Sequence, residues 1–520
     1  MTSRARTSLA WTNVALGTWL ICLIAYASPR LIDHLINSDT LLPALFSWEL
    51  RHIAGAHRDL QLPRIPSFVP DLVFYIGLDA AFGFRWALFL YAVLQVLAFV
   101  TVGGAVIART AGGRLSDTAP ALLVVFAAVM LVDIFSAGIH ARYYALAPVL
   151  HFGALLWTLL GALLVAALID AWRWPVAILL VLCCFLGFLS NRILAVMFFL
   201  PSSLALLTLL FFRALPWRRV AAIIGGGALG TLAAILVDRR LYRQPNLAVT
   251  DVWEHVARFA TETPQYLRAA ALSAIVSLAI PLAMMGGGAA AWIWRQYRAR
   301  GSGDAAPTAH WATLYLWICA VLSMSASVGL GAALDYHPNT YRDVLPALFL
   351  PVIVLAAFLW RYAQRTMRTL SWMIAPVLAC VLVVVAGTGG FVPSAVTAWR
   401  GPIGACLLEH RDRSGLRAGL AEYWIARPAM LGTDFAVQVD QMTEEGHQFH
   451  WGNNRNAYHR SIHDPSRPPD YRFIVIDHTK PDAIRAKYGE PTRIETCGTH
   501  TLWIYDDGAA VRRRLLGLTD

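Results

Sequence analysis

The sequence predicts a polytopic α-helical membrane protein with about eleven transmembrane helices, the N-terminus inside and the C-terminus outside, and a small C-terminal α/β extracytoplasmic domain. Three observations carry that expectation. Of 520 residues, 58% are hydrophobic and only 14% charged, and the mean hydropathy is +0.54; soluble domains are roughly 25% charged. Apolar runs of about 17 to 25 residues recur, long enough to cross a hydrocarbon core about 30 Å thick. Past residue 388 these runs stop and mixed-charge sequence takes over.

In order, the candidate spans lie at 11–28, 85–107, 119–136, 149–169, 175–189, 193–212, 220–237, 270–294, 311–330, 344–360 and 372–386. The first resembles a cleavable signal peptide, with Arg4 and Arg6 ahead of it and Ala25-Tyr26-Ala27 at its end. It is long for one and is read as a retained helix. Arginines in short loops set the orientation, because cytoplasmic loops keep an excess of Lys and Arg. Arg4 and Arg6, Arg109 and Arg114, Arg213 with Arg218 and Arg219, Arg295 with Arg298 and Arg300, and Arg361 with Arg365 and Arg368 fall on alternate loops. An odd number of crossings then places loop 29–84 and segment 389–520 together on the outer side. That count requires 68–83 not to cross; carrying Asp71 and Asp79, it is read as a helix lying along or dipping into the outer surface. The domains are therefore 1–388, with outer first loop 29–84, and an outer 389–520.

The net charge of +11 belongs largely to this loop arginine excess, so the expected partners are membrane lipids and not nucleic acid. Lys480 and Lys487 are the only lysines, which fits a GC-rich coding bias and a bacterial cytoplasmic (inner) membrane. Cys22, Cys183, Cys184, Cys319 and Cys380 sit in apolar segments and read as buried small hydrophobes. An oxidising outer compartment allows Cys406 and Cys497 to pair, closing a loop of about 90 residues worth roughly 4 to 5 kcal/mol in the chain-entropy model; two separate thiols are the alternative.

Beyond 388, strand-like runs at 435–442, 471–477 and 501–505 and helical patterns at 413–426 and 482–488 read as a small α/β domain. The segment 300–307 reads as a flexible linker.

Polar residues collect at the outer ends of the spans, where an ionisable group is costly without a partner or a use. They are Asp39 and Asp71; His140, Arg142 and Tyr143; Asn191 and Arg192; Arg239, Arg240 and Tyr242; and Asp335, His337, Tyr341 and Arg342. A carboxylate near several guanidinium groups suits deprotonation of a hydroxyl beside a lipid phosphate that leaves with growing charge. Plainer roles stand beside each: Asp39 and Asp71 as helix N-caps, Arg239 and Arg240 as headgroup anchors, His140 as a structural group. The pairs His447/His450 and His459/His463 have only loose metal-ligand spacing. The single G-x-G-x-x-G match, Gly225, Gly227 and Gly230, lies within a span and reads as helix packing.

Through NSDTLLPALF around Asp39, PSFVPD ending at Asp71, and TYRDVLP around Arg342, within this layout of spans, the chain resembles the glycosyltransferase C superfamily, which includes protein O-mannosyltransferases and aminoarabinose transferases. The resemblance implies Asp39 as catalytic carboxylate, Asp71 as its assistant, and Arg192, Arg239, Arg240 and Arg342 on the phosphate of a polyprenyl-phosphate-sugar donor. It implies a hexosyl or pentosyl acceptor reaction on an envelope glycan, lipid or protein, and no cofactor; a divalent cation is not favoured. Ser38 and Thr40 flank Asp39 where relatives carry an acid or aromatic partner, and Asp343 follows Arg342 where a Tyr is usual. GLAEYWIA and HWGNN offer Tyr423, Trp424, Trp451 and Asn453 for carbohydrate stacking, or as core. Other expectations are a lipid-linked sugar flippase, an envelope polysaccharide polymerase or ligase, and a non-enzymatic scaffold.

Overall fold

A computed structural model describes residues 3–28, 32, 35–53, 56, 59–61, 67–135, 141–148, 151–241, 309–334, 345–387, 395–454 and 456–518. Apolar sequence with no water at hand satisfies its backbone by forming helices. These are α1 (Ser3–Tyr26), α2 (Leu42–His52), α3 (Val73–Phe82), α4 (Phe84–Ala111), α5 (Leu115–Phe135), α6 (Phe152–Asp170), α7 (Trp174–Ser190), α8 (Leu200–Phe211), α9 (Trp217–Leu241), α10 (Ala309–Leu334), α11 (Leu345–Tyr362) and α12 (Gln364–Gly387). Among the described residues, seven helices are long and apolar enough to cross a membrane, and the apolar helices at Trp174–Ser190, Ala195–Phe211 and Trp311–Ser327 are shorter. Ten of the expected spans coincide with helices; 270–294 and the linker at 300–307 lie outside the described residues.

The first-loop helices α2 and α3 are too short to cross. The 11 residues of α2 and 10 of α3 reach roughly 15 Å each at about 1.5 Å per residue, half a hydrocarbon core. Gly83, at φ +80°, reverses the chain between α3 and α4, a conformation glycine adopts without Cβ strain. The expected surface helix at 68–83 is thus a π turn, Phe68–Leu72, followed by α3. Arg51 of α2 bonds Asp79 of α3 at 2.5 Å and ties the two together.

Glycine packs α7 against α9. A Cβ on Gly230 would run into the Val181 carbonyl oxygen and lie 3.0 Å from Cys184 Cβ, whereas Gly225 faces nothing within 4 Å. The G-x-G-x-x-G match is therefore a packing seam. Cys380 is exposed on α12, against the expectation of burial, because α12 turns much of its surface outward.

The C-terminal domain adds α13 (Gly401–Ser414), α14 (Tyr423–Gly432), α15 (Pro481–Tyr488) and α16 (Gly508–Leu515) to strands β2 (Ala418–Glu422), β3 (Gln438–Met442), β5 (Tyr471–Val475), β6 (Arg493–Cys497) and β7 (His500–Ile504). The sheet runs β3-β2-β5-β7-β6; β2 lies parallel to β3 and β5, and β7 is antiparallel to β5 and β6. The helix expected at 413–426 is instead a helix end, a strand and a helix start. Gly415 at φ +68° stops α13, all five residues of β2 are buried mid-sheet, and the Glu422 carboxylate caps α14 by accepting from Trp424 N at 2.8 Å.

Several contacts hold this domain on the bundle, three of them away from Asp39. Arg85, at the start of α4, donates to Trp399 O at 2.9 Å and pairs with Asp434. A short strand of the first loop, β1 (Leu60–Gln61), pairs antiparallel with β4 (Asn453–Asn454). One apolar core also runs without a break from Phe89 and Phe126 of the bundle to Ile403, Val437 and Phe473 of the domain. The domain therefore sits at the end of the bundle reached by the C-terminus of α1. The opposite end gathers arginines: Arg109 pairs with Asp170, Arg219 donates to Ile169 O at 3.1 Å, and Arg368 lies 3.9 Å from Asp117.

Candidate functional site

Asp39 sits in a tight turn just ahead of α2. Asn37 builds that turn, its Oδ1 accepting from Asp39 N at 3.0 Å and Thr40 N at 3.1 Å. The helix that follows begins at Leu42 with Leu41 as its N-cap residue and no side-chain cap. N-capping by Asp39 is thus overturned, since Asn37 takes the local donors and leaves the Asp39 carboxylate to reach across the domain boundary. There the Tyr423 hydroxyl, from the first turn of α14, donates to Asp39 Oδ1.

Arg427, one helical turn further, completes the clamp. Its Nη1 donates to Ser38 O at 2.7 Å and to Tyr423 Oη at 2.9 Å, its Nη2 donates to Gly452 O at 2.5 Å, and its guanidinium lies 4.7 Å from the Tyr423 ring centroid. Ser38 Oγ donates back to Tyr423 O at 2.5 Å. Burial pushes the Tyr423 phenol well above its ordinary pKa, with Arg427 pulling it down and Asp39 pushing it further up. The phenol therefore stays a proton donor to the carboxylate across the physiological range. Asp39 itself is 8% exposed.

Asp71 is buried in the same manner by a different tyrosine. The Tyr91 hydroxyl of α4 donates to Asp71 Oδ1. The Asp71 turn is pinned by the end of α7: Ser67 N donates to Ser190 O at 2.9 Å, and Val69 N to Ser190 Oγ at 2.9 Å. Gly153 leaves the room, since a Cβ there would lie 3.2 Å from Asp71 Oδ1. Beside Ser190, Asn191 meets His151 Nδ1 at 2.9 Å.

Arg192 bonds Asp238 of α9 at 2.6 Å, which sets Arg239 and Arg240 close by, both exposed at the helix end. Tyr143 is half-buried and stacks on Tyr144 at 4.5 Å between centroids. His140, Tyr242, Asp335, His337, Tyr341 and Arg342 lie outside the described residues, as does the side chain of Arg142. The structure thus brings Asp71, Asn191, Arg192, Arg239 and Arg240 to one neighbourhood and Asp39 under the C-terminal domain at the same end.

A second polar layer backs the Asp39 clamp. Glu49 of α2 and Asp440 of β3 face a small cavity of about 30 Å³ with Arg427. Burial pushes the Glu49 carboxyl up to about 7 against a hydrogen bond from Asn454, and pushes Asp440 up to about 7 against bonds from Tyr471 and Gln438. Arg427, Tyr91, Asp238 and this acid pair escaped the sequence reading. Arg427 alone left a trace there, as the one charge in the apolar stretch YWIARPAML.

Of the carbohydrate candidates, Tyr423 and Asn453 are buried, whereas Trp424 is 39% exposed and stacks edge-on against Tyr423 at 5.0 Å. Cys406 and Cys497 are bonded to each other. Among the described residues the one His/Cys/acid group close enough to share an ion is Cys406, His410 and Cys497, where the sulfurs are already paired. His447 Nδ1 meets Lys487 at 2.9 Å and His450 Nε2 meets Gln448 at 3.0 Å.

Fold and site define a multi-pass helical membrane protein that carries an α/β domain on one end of its bundle, with Asp39 and Asp71 among the buried carboxylates at that end. No protein-family model, curated protein or solved structure matches the chain.

Proposed function

We propose that the chain is a membrane glycosyltransferase that moves a single sugar from a polyprenyl-phosphate donor to a cell-envelope glycan, lipid or protein. In this reading eleven spans cross a bacterial inner membrane and the α/β domain is periplasmic. The observation that carries it is Asp39: a carboxylate on the first loop, withdrawn from water and held by Tyr423 and its Arg427 support from another domain. A buried carboxylate oriented by a phenol hydroxyl from a second domain is positioned to act as a general base.

Asp39 takes the proton of the acceptor hydroxyl as that oxygen bonds to the anomeric carbon of the donor sugar. The bond from that carbon to the phosphate oxygen breaks, and the phosphate leaves with the electron pair. Arg192, Arg239 and Arg240 supply positive charge for it at the same end. Asp71 orients the π turn between α7 and α4, and exposed Trp424 offers an apolar face for an acceptor sugar. The chemistry uses no cofactor.

The test is sugar transfer by the purified protein in detergent, from a panel of radiolabelled polyprenyl-phosphate sugars into envelope extract. Transfer from at least one donor is expected. Absence of both transfer and donor binding, with folded protein, would refute the reading.

A further inference from the structure

At the end of the bundle opposite Asp39, α1, α5 and α12 part to leave an open cleft of about 710 Å³. Three guanidinium groups from three separate helices or turns line it: Arg6, Arg114 and Arg368. Trp360 sets the middle one. Its Nε1 donates to Gly112 O at 2.8 Å, and Gly113, at φ +115°, packs so closely that a Cβ would lie 2.9 Å from that nitrogen. The turn so fixed delivers Arg114 to the rim. Trp360 also lies under Arg368, whose guanidinium is 5.5 Å from the ring centroid.

Only one carboxylate lines the cleft, Asp117, and it approaches Arg368 no closer than 3.9 Å. Among the described residues no acid pairs with Arg6 or Arg114. Three positive groups against one negative leave the cleft at a net +2. Trp372 of α12 also lines the cleft, and it and its helix neighbours Leu370 and Met373 are all more than 40% exposed.

We infer that this cleft binds the phosphate of a membrane lipid headgroup, Arg6, Arg114 and Arg368 holding the phosphate and the exposed face of α12 guiding the acyl chains. Convergent guanidinium forks match phosphate oxygens in geometry and charge, and the exposed apolar side chains that α12 carries beside the cleft favour a lipid over a free anion. The site is independent of the transferase reading, since it lies at the other end of the bundle.

Native mass spectrometry of the full chain in neutral detergent, titrated with phosphatidylglycerol, tests it. One tightly retained lipid is expected, with affinity at least tenfold weaker in the triple variant Arg6→Gln, Arg114→Gln, Arg368→Gln. Asp117→Asn removes the opposing charge and is expected to tighten binding severalfold, a gain that misfolding does not produce. Diacylglycerol, which lacks the phosphate, is expected to show no such retention. Equal retention by wild type and triple variant overturns the proposal. Displacement of the lipid by millimolar inorganic phosphate overturns the lipid assignment and makes this a free-anion site.

Discussion

The Tyr423 hydroxyl donates to Asp39 Oδ1 across 384 residues of sequence, joining the first loop of the membrane bundle to the C-terminal domain. The geometry of Asp39 is thereby under the control of a domain that contributes nothing to the membrane spans. Arg427 enforces it by gripping Ser38 O and the tyrosine oxygen together.

Tyr423→Phe separates orientation from folding. The ring keeps its edge-on contacts with Trp424, Phe449 and Trp451, so the variant folds with a loss of about 1 to 2 kcal/mol from the missing hydrogen bond. Transfer is expected to fall about tenfold in kcat with little change in KM. Steady-state kinetics beside a thermal melt give both numbers; an unchanged kcat removes Tyr423 from the account.

Glu49 and Asp440 make the seating of the domain pH-dependent. Both carboxyls are raised to about 7 in the folded protein, so the folded state binds more protons than the unfolded one. Stability is then full below about pH 4, falls as pH rises through about 7, and levels off above; each group accounts for on the order of 3 to 4 kcal/mol at most. Asp440→Asn is expected to flatten its share of that slope. Thermal melts from pH 4.5 to 8 check the sign, and a melting temperature that climbs across this window contradicts it.

The Cys406–Cys497 bond joins α13 to β6 with a sequence separation of 91. Its removal as Cys406→Ser with Cys497→Ser is expected to cost about 3 to 5 kcal/mol. The loss is confined to the C-terminal domain, where limited proteolysis locates it. Phosphine reduction of the wild type reproduces the same loss; a double variant as stable as wild type contradicts it.

Gly230 and Gly225 give opposite outcomes within one helix. Alanine at Gly230 meets the Val181 backbone, which cannot swing aside, and is expected to cost about 1 to 3 kcal/mol. Alanine at Gly225 meets nothing and gains helix propensity, for an effect of zero or a stabilisation of about 0.5 kcal/mol. Melting curves in one detergent compare the two, and equal effects dismiss the packing seam.

The helices of the bundle were legible because an apolar run of span length has one satisfied backbone state. Strands 471–475 and 500–504 and the helix opened by Pro481 were legible from short β-branched and aromatic runs and a start signal. The stretch 413–426 was not: Ala418–Glu422 is buried on both faces, and a buried central strand carries no alternation to tell it from a helix. Asp39 and Asp71 stood out as charges near apolar runs, but their pairing with tyrosines did not, because Tyr91 reads as an ordinary core aromatic and Tyr423 as a sugar-stacking or core side chain. The Arg192–Asp238 pair was hidden for the same reason that long-range contacts usually are: 46 residues and a whole helical hairpin separate the partners.

The measurement that bears most directly on the proposed function is transfer by Asp39→Asn, which preserves the size of the side chain and an oxygen for Tyr423 while removing the carboxylate proposed as base. Single-turnover transfer from a donor the wild type uses is expected to fall by about 10²- to 10⁴-fold, with donor binding and the melting curve little changed. Transfer within threefold of wild type would contradict the assignment of Asp39 as the catalytic base.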